Sequence, residues 1–263
     1  MKTANVLSCV LAVVFFATAA QAGAIVTVPP GLSPGDQYRL VFVTSTETHS
    51  GGADQSGLVP PGFTTVAQFD NFATDAANLN PTLTALGTTW RAVISTRSPN
   101  SDAKTNTLTD PVVNASTSVP IYQLGGLLVA SGYSDLWDGT IANPINVNEN
   151  GGGPAAQAHG LYLVWTGAAS NGGGAGAGSA LINQDGGWIQ VGNPTVTTAE
   201  WITGIGPNGD WANERHNDLM PIYAMSGILR APEQGDIPEP ATMALLGLAA
   251  CGLGGYIRRH RTA

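Results

Sequence analysis

The chain has 263 residues, of which 43% are hydrophobic and only 11% are charged, with a formal net charge of −8. Residues 23–236 carry six basic and 17 acidic side chains, a formal charge of −11, which argues against a nucleic-acid-binding surface because such a surface needs clustered Lys and Arg. The two cysteines, Cys9 and Cys251, lie near the ends, so the body between them has no disulfide, thiolate nucleophile or cysteine metal site.

The first 22 residues have the pattern of a secretory signal peptide. Lys2 supplies a positive start, residues 6–20 are apolar, and Ala20-Gln21-Ala22 forms an A-x-A cleavage site before Gly23. We expect an N-terminal signal helix that signal peptidase removes after Ala22.

The body, predicted as residues 23–232, contains patterns of both strands and helices. Runs of β-forming residues predict strands within 37–44, 88–95, 119–130, 160–167 and 221–228. Helical spacing of apolar residues predicts a helix over 64–79, through Val66, Phe69, Phe72, Ala73 and Ala76. Residues 98–118 are polar and loop-like. The Gly-rich, low-charge composition predicts long loops on a β-rich frame.

Asn146-x-Asn148-x-Asn150-Gly151 has the spacing of a calcium-binding loop. Its first ligand position is Asn rather than Asp, and Gln157 stands where a bidentate Glu is required. These departures favour a polar turn over a calcium site.

A second polar cluster, residues 214–218, precedes the last predicted strand. Its Asn217-Asp218 resembles the Trp-Asn-Asp element of calcium-dependent sugar-binding lectins, with His216 in place of the Trp. That resemblance implies a site in which Asn and Asp oxygens hold calcium, which in turn binds sugar hydroxyls. Glu149 is a further candidate ligand. The alternative is a structural loop, and no other cofactor is expected.

Trp side chains can stack on sugar rings, and the chain has six. Trp90 and Trp165 sit in apolar runs and are predicted to be buried, whereas Trp201 and Trp211 lie beside polar residues and glycine and are predicted to be more exposed. The carboxylates of Asp135 and Asp138 suggest either an acid/base pair of a hydrolase or, at Asp138-Gly139, a simple turn.

The C-terminal segment, residues 233–263, combines a short linker with three features in a fixed order. Pro238, Glu239 and Pro240 come first, and residues 241–257 follow without a charge. As a helix this apolar stretch would span about 25 Å, enough for a thin bilayer. Basic residues close it, in keeping with the positive-inside rule: Arg258, Arg259 and Arg261. The alternative is a buried C-terminal helix of the domain.

With the signal peptide, this order resembles the PEP-CTERM sorting signal. The resemblance implies an exported protein of a bacterium with an outer membrane. It also implies anchoring in the inner membrane by a C-terminal hydrophobic helix, processing by an exosortase, and release to the cell surface or extracellular matrix.

The order of short motifs in the body, from Arg39-Leu-Val-Phe-Val-Thr44 to Tyr223, resembles a bacterial, endostatin-like branch of the C-type-lectin-like fold. The segments around Trp90 and Trp165 carry most of the resemblance. It implies an α+β domain with long loops that commonly serves as a binding scaffold. Related domains have cystines that this body lacks, so core packing must replace them.

Three functions follow as hypotheses. The first is a non-enzymatic adhesion or glycan-binding module that meets extracellular polysaccharide. The second is a hydrolase of matrix polysaccharide using Asp135, Asp138 and Asp218. The third is a purely structural matrix protein.

Overall fold

The structure is a computed structural model that describes residues 24–50, 62–156, 161–175, 179–182, 189–204, 213–214 and 218–233. The predicted signal peptide, its cleavage site and the predicted sorting segment lie outside these residues. Within the described ranges, no helix is both long enough and apolar enough to cross a bilayer.

The described residues form a mixed α/β domain with short elements and long connections. In chain order the elements are β1 Gln37–Val43, α1 Val66–Asn78, α2 Pro81–Thr84, β2 Trp90–Ala92, β3 Thr96–Arg97, β4 Asn100–Ser101, α3 Ala103–Asn106, a 3₁₀ turn at Ala115–Thr117, β5 Ile121–Gln123, β6 Leu128–Ala130, α4 Tyr133–Leu136, β7 Val164–Trp165, β8 Ile189–Gly192, a 3₁₀ turn at Ala199–Trp201, β9 Asn213–Glu214, β10 Tyr223–Ser226 and β11 Leu229–Arg230.

The main sheet is organised around β1. Its strand order is β2-β10-β1-β5-β6, and β11 pairs with the start of β1. β1 is antiparallel to β10, with Val41 opposite Met225, and parallel to β5, with Arg39 opposite Ile121. The strands β7, β8 and β9 form a second, antiparallel sheet.

Both faces of β1 are buried, and its alternation divides the core into two clusters. Tyr38, Leu40 and Phe42 pack in one cluster with the apolar face of α1. Val41 and Val43 point the opposite way, into a second cluster with residues of β5, β6 and α4. A strand covered on both sides reads as a nearly continuous apolar run, which is the pattern that residues 37–44 show.

Helix α1 confirms the helix predicted over residues 64–79. It begins at a capping box, in which the Thr65 side chain accepts from the Gln68 N–H and the Gln68 side chain accepts from the Thr65 N–H. Its buried face consists of Phe69 and three alanines, whose small side chains let the helix lie close to the sheet.

The predicted strands are confirmed in shorter form. Residues 119–130 form the pair β5 and β6, separated by a turn at Gly126, which has a φ of +82°. Only two residues of 160–167 form a strand, because the chain turns at Gly167 with a φ of +58° and packs there against the Ser95 carbonyl. A side chain at Gly167 would collide with that carbonyl.

Side chains close the outer edge of β2. Asp70 of α1 accepts a hydrogen bond from the Ala92 N–H at 2.9 Å and one from the Asn106 amide at 2.9 Å. The same amide donates to the Ala92 carbonyl at 2.8 Å. Arg91 adds a bond to the Asn106 carbonyl at 3.0 Å. An unpaired strand edge is a template for aggregation, and this network covers it.

Arg39 lies in the centre of the sheet and is 4% exposed. Its Nη1 donates to the carbonyls of Thr107 at 2.7 Å and Ser226 at 3.2 Å, and Nη2 lies 3.5 Å from the Leu108 carbonyl. The guanidinium is 5.3 Å from the centroid of the Tyr133 ring. Carbonyl oxygens and an aromatic face therefore take the place of a carboxylate. Burial lowers the pKa of Arg39, an effect that Tyr133 partly offsets.

We predict that Arg39→Met lowers the free energy of unfolding by about 2–4 kcal/mol, because buried carbonyls lose their donor. Urea unfolding of residues 23–236 measures this change. The exposed Arg230→Met is the matched control and should cost no more than about 0.5 kcal/mol. Equal effects of the two substitutions would contradict the role given to Arg39.

Two carboxyl groups should give opposite slopes of stability against pH. Burial raises the pKa of Asp70 above its ordinary 3.8, although hydrogen bonds from Asn106 and Ala92 oppose the shift. Its contribution to stability is therefore present below pH 3.8 and lost as pH rises through its folded-state pKa. Hydrogen bonds from the Val112 and Val113 N–H groups lower the pKa of Asp110. Its contribution is present above pH 3.8 and lost as pH falls through its folded-state pKa.

We therefore compare the free energy of unfolding of the parent with that of each variant as the pH falls toward about 3. We predict that the advantage of the parent over Asp70→Asn grows, and that its advantage over Asp110→Asn shrinks. Chemical denaturation at a series of pH values tests both. Slopes of the same sign for the two variants would refute the assignment.

Candidate functional site

The two ends of β1 lead to different parts of the molecule. At its start, Gln37 pairs with Arg230 of β11, and the chain leaves the described domain there; we call this the exit end. Beyond its last residue, residues 44–50, 145–153 and 218–222 come together; we call these the distal loops. Thr44 and Thr48 bond to Ile222 and Met220, and the Val43 N–H donates to Val147.

Glu149 is the central acidic residue of the distal loops and is 0% exposed. Its Oε2 accepts from the Ser45 N–H at 2.9 Å, and its Oε1 accepts from the Ser45 hydroxyl and from the Asn150 amide at 3.3 Å. The Glu149 carbonyl accepts from the Asn80 amide at 2.7 Å. A buried carboxylate must be paired with donors. The Ser45 N–H, the Ser45 hydroxyl and the Asn150 amide are the three donors to this carboxylate.

Asn148 shapes the loop whose spacing resembles a calcium site. Its Oδ1 accepts from the N–H groups of Asn150 at 3.0 Å and Gly152 at 2.9 Å, and its Nδ2 donates to the Gly153 carbonyl at 2.9 Å. Gly151 has a φ of +75°, as such a turn requires. The polar turn that the sequence favoured is confirmed. Gln157 lies outside the described residues.

Asp218 is exposed and belongs to the distal loops. It lies beside a different part of residues 44–50 than Glu149 does, as the pairing of Thr48 with Met220 indicates. Thr48 pairs antiparallel with Met220, so Asp218 lies on the side of that pair toward Ser50, whereas Glu149 contacts Ser45. No group of three or more His, Cys, Asp or Glu suited to a metal ion occurs in the described part of the chain. The other predicted ligand, Asn217, lies outside it.

Trp90 and Trp165 are buried, as the sequence predicted. The prediction that Trp201 is exposed is wrong, since the residue is 1% exposed. Its ring lies 5.8 Å from those of Trp137 and Tyr223, and the Tyr223 hydroxyl donates to the Trp201 carbonyl at 2.8 Å. Trp201 is the last residue of the 3₁₀ turn Ala199–Trp201 and packs in the core. Its polar neighbour Glu200 is only partly buried.

Trp188 and Trp211 lie outside the described residues. Tyr162 is the exposed aromatic side chain of the described residues, at 40%, and the sequence did not single it out. A parallel bridge joins Trp165 to Ile222, so Tyr162 and the exposed Leu219 each precede that bridge by three residues. The sequence could have indicated this, since Tyr162 is the one residue with a hydroxyl group in the run Leu161–Trp165.

The carboxylates considered for a hydrolase take part in local turns. Asp135 accepts from the N–H of Ser131 at 2.6 Å and from its hydroxyl at 3.0 Å. Asp138 accepts from the N–H of Thr140 at 2.9 Å and from its hydroxyl at 3.0 Å. Gly139 has a φ of +103°, so the interpretation of Asp138-Gly139 as a turn is confirmed.

Comparison with protein-family models matches residues 236–261 to the PEP-CTERM protein-sorting motif. The match includes all six predicted motif residues: Pro238, Glu239, Pro240, Arg258, Arg259 and Arg261. It supports the prediction of an exosortase substrate. The motif implies export and processing by an exosortase while the protein is anchored in the membrane. A search of curated proteins finds no significant match to the chain.

We predict that Ser45→Ala and Glu149→Gln each lower the free energy of unfolding by about 1–3 kcal/mol. Ser45→Ala removes a hydroxyl donor from the buried carboxylate, and Glu149→Gln replaces one of its acceptor oxygens with an NH₂ group. The double variant should cost less than the sum by about 1 kcal/mol, because the two side chains are in contact. Urea unfolding measures all three. Thr140→Ala, which removes a similar but exposed hydroxyl–carboxylate bond to Asp138, should cost at most about 0.5 kcal/mol. Strict additivity at Ser45 and Glu149 would contradict the coupling.

Proposed function

We propose that this chain is exported, is processed by an exosortase, and displays its body at the cell surface or in the extracellular matrix as a non-catalytic adhesion or glycan-binding module. The observation that carries the proposal is the sorting motif at 236–261, which begins three residues after the described domain ends at Glu233. Signal peptidase is the expected enzyme at the N-terminus.

The architecture supports a C-type-lectin-like scaffold. The first and last strands of the domain pair antiparallel, with Gln37 opposite Arg230, so both chain ends meet at one end of the sheet. The helices are few and the connections long. Such a frame leaves its distal loops free to carry a binding surface, since loops positioned by a rigid scaffold are common binding sites.

A sugar is the ligand class that suits the distal loops. Tyr162 lies three residues before the Trp165–Ile222 bridge, which borders the distal loops, and offers an exposed ring that can stack on a pyranose. The exposed Asp218 and Asn150 of the distal loops offer groups that hydrogen-bond to hydroxyls. Calcium held by Asn217 and Asp218 would add a second way to bind vicinal hydroxyls. The ligand we propose is an extracellular polysaccharide.

A purely structural matrix protein is the second candidate, and one observation favours it. All four Trp residues that the structure describes are buried: Trp90, Trp137, Trp165 and Trp201. Their role in the core leaves Tyr162 as the aromatic available for stacking in the described domain. The hydrolase hypothesis has no comparable support, because the carboxylates of Asp135 and Asp138 hold turns in their own loops.

The test uses the full chain expressed in a bacterium with an active exosortase. The product recovered outside the cells is applied to a glycan array with and without calcium. We predict binding to a defined polysaccharide class, reduced about tenfold by Tyr162→Ala or Asp218→Ala, which corresponds to about 1.4 kcal/mol. Leu79→Ala, an exposed apolar change on α1's C-cap, is the control and should leave binding unchanged.

The outcomes separate the candidates. Loss of calcium dependence in Asp218→Ala would place an ion beside that residue. Absence of binding by a correctly exported product would leave the structural matrix protein. A chain with Pro238→Ala and Pro240→Ala should remain in the membrane fraction at full length. Its normal release would contradict the sorting route itself.

A further inference from the structure

Two adjacent valines form the most exposed apolar feature of the described domain. Val112 is 85% and Val113 is 77% exposed, and Leu108, four residues earlier, is also exposed. Single exposed apolar residues are normal on protein surfaces. Two adjacent exposed β-branched residues, with a third exposed apolar side chain four residues earlier, are less common. They indicate a surface that contacts another molecule or a membrane. We call Leu108, Val112 and Val113 the apolar tip.

The backbone of the apolar tip is held in place without help from its own side chains. Asp110 Oδ1 accepts from the N–H of Val112 at 2.8 Å and of Val113 at 3.1 Å. The Asp110 carbonyl accepts from the Asn114 N–H at 2.8 Å, and Lys104 forms an ion pair with Asp110 at 3.3 Å. Presenting the valines therefore requires little further ordering of the loop, which lowers the entropic cost of binding.

The apolar tip emerges near the exit end. Before it, the carbonyls of Thr107 and Leu108 contact the Arg39 side chain. After it, the Pro120 carbonyl accepts from the Arg39 N–H at 2.9 Å, and β5 runs parallel to β1 from that point. Both flanks are thus fixed at the third residue of β1, close to the strand end where β11 pairs.

The chain that leaves the exit end has a short reach. Its last backbone pairing with the domain joins Ala231 to Gly35 and Asp36. Ala241, where the apolar stretch 241–257 begins, is the tenth residue after Ala231. A fully extended chain of ten residues covers at most about 35 Å. Before processing, the exit end therefore lies within that distance of the bilayer that holds the C-terminal segment.

We infer that, in the membrane-anchored precursor, the apolar tip inserts into the interfacial region of the same bilayer and holds the domain with its distal loops away from the lipid. The inference rests on the proposed sorting route, because it requires residues 241–257 to act as the anchor. The lipid surface that suits this contact is neutral. The body carries a formal charge of −11, and anionic headgroups would repel it.

The test places one fluorescent label at a time in the full chain, reconstituted in phosphatidylcholine–phosphatidylethanolamine vesicles. All variants carry Cys9→Ser. The label is attached to the native Cys251, or to Val113→Cys or Leu219→Cys in a chain that also has Cys251→Ser. Leu219 is the matched control, because it is an exposed apolar residue of the distal loops. Quenchers attached at shallow and deep positions of the lipid then report depth.

We expect the label at Cys251 to be quenched most by the deep quencher. The label at Val113→Cys should shift to the blue and be quenched mainly by the shallow quencher, since interfacial segments bury about 5–10 Å into the headgroup and acyl boundary. The label at Leu219→Cys should respond to neither. That pattern supports the inference.

Four results would overturn it, and each has a different meaning. Quenching at Cys251 without quenching at Val113→Cys refutes the apolar tip but leaves the sorting route intact. Equal quenching at Val113→Cys and Leu219→Cys refutes the orientation. A blue shift at Val113→Cys without lipid quenching shows that protein, such as a second copy, covers the apolar tip instead. If Cys251 itself is not quenched, the anchor fails, and the inference fails with it.

Discussion

The rest of the structure depends on burying β1 on both faces while one of its residues is a cation. Arg39 is accommodated because three backbone carbonyls and the Tyr133 ring surround its guanidinium. Those carbonyls come from residues 107–108 and from Ser226, which are distant from Arg39 in sequence. The Arg39 side chain therefore adds a bond between β1 and the end of β10 to their backbone pairing, and it also contacts the loop that carries the apolar tip.

Buried polar side chains also tie together distant segments of this body, which has no cysteine between Cys9 and Cys251. Two of these ties pair a buried indole N–H with a backbone carbonyl. Trp165 Nε1 donates to the Thr48 carbonyl at 2.9 Å, and Trp137 Nε1 donates to the Thr109 carbonyl at 3.1 Å. A buried indole gives both apolar area and one directed bond. Trp137 and Trp165 thus join distant segments of a body that has no cysteine, in addition to filling its core.

Features that depend on local sequence could be predicted, and features that depend on distant partners could not. Helix α1 carries its own capping box and apolar spacing, and β1 is a run of β-forming, mostly apolar residues, so both followed from the sequence. The burial of Trp201 depends on Trp137, 64 residues earlier, and the Glu149 carboxylate is bound by Ser45, 104 residues away. The sequence identified Glu149 as an important acid but gave no indication that its partner is a serine.

The separation of the two ends of β1 lets sorting proceed without disturbing the fold. The last pairing of the domain, between Ala231 and Asp36, lies seven residues before Pro238. Cleavage at the Pro-Glu-Pro motif or beyond it therefore leaves every strand pair of β11 in place. Because the Gln37 and Tyr38 pairs with β11 also close the exit end, the processed domain keeps both chain ends fixed. The distal loops lie at the other end of the sheet, so this cleavage removes none of the hydrogen bonds that hold them, among them those of Val43 to Val147 and of Ser45 to Glu149.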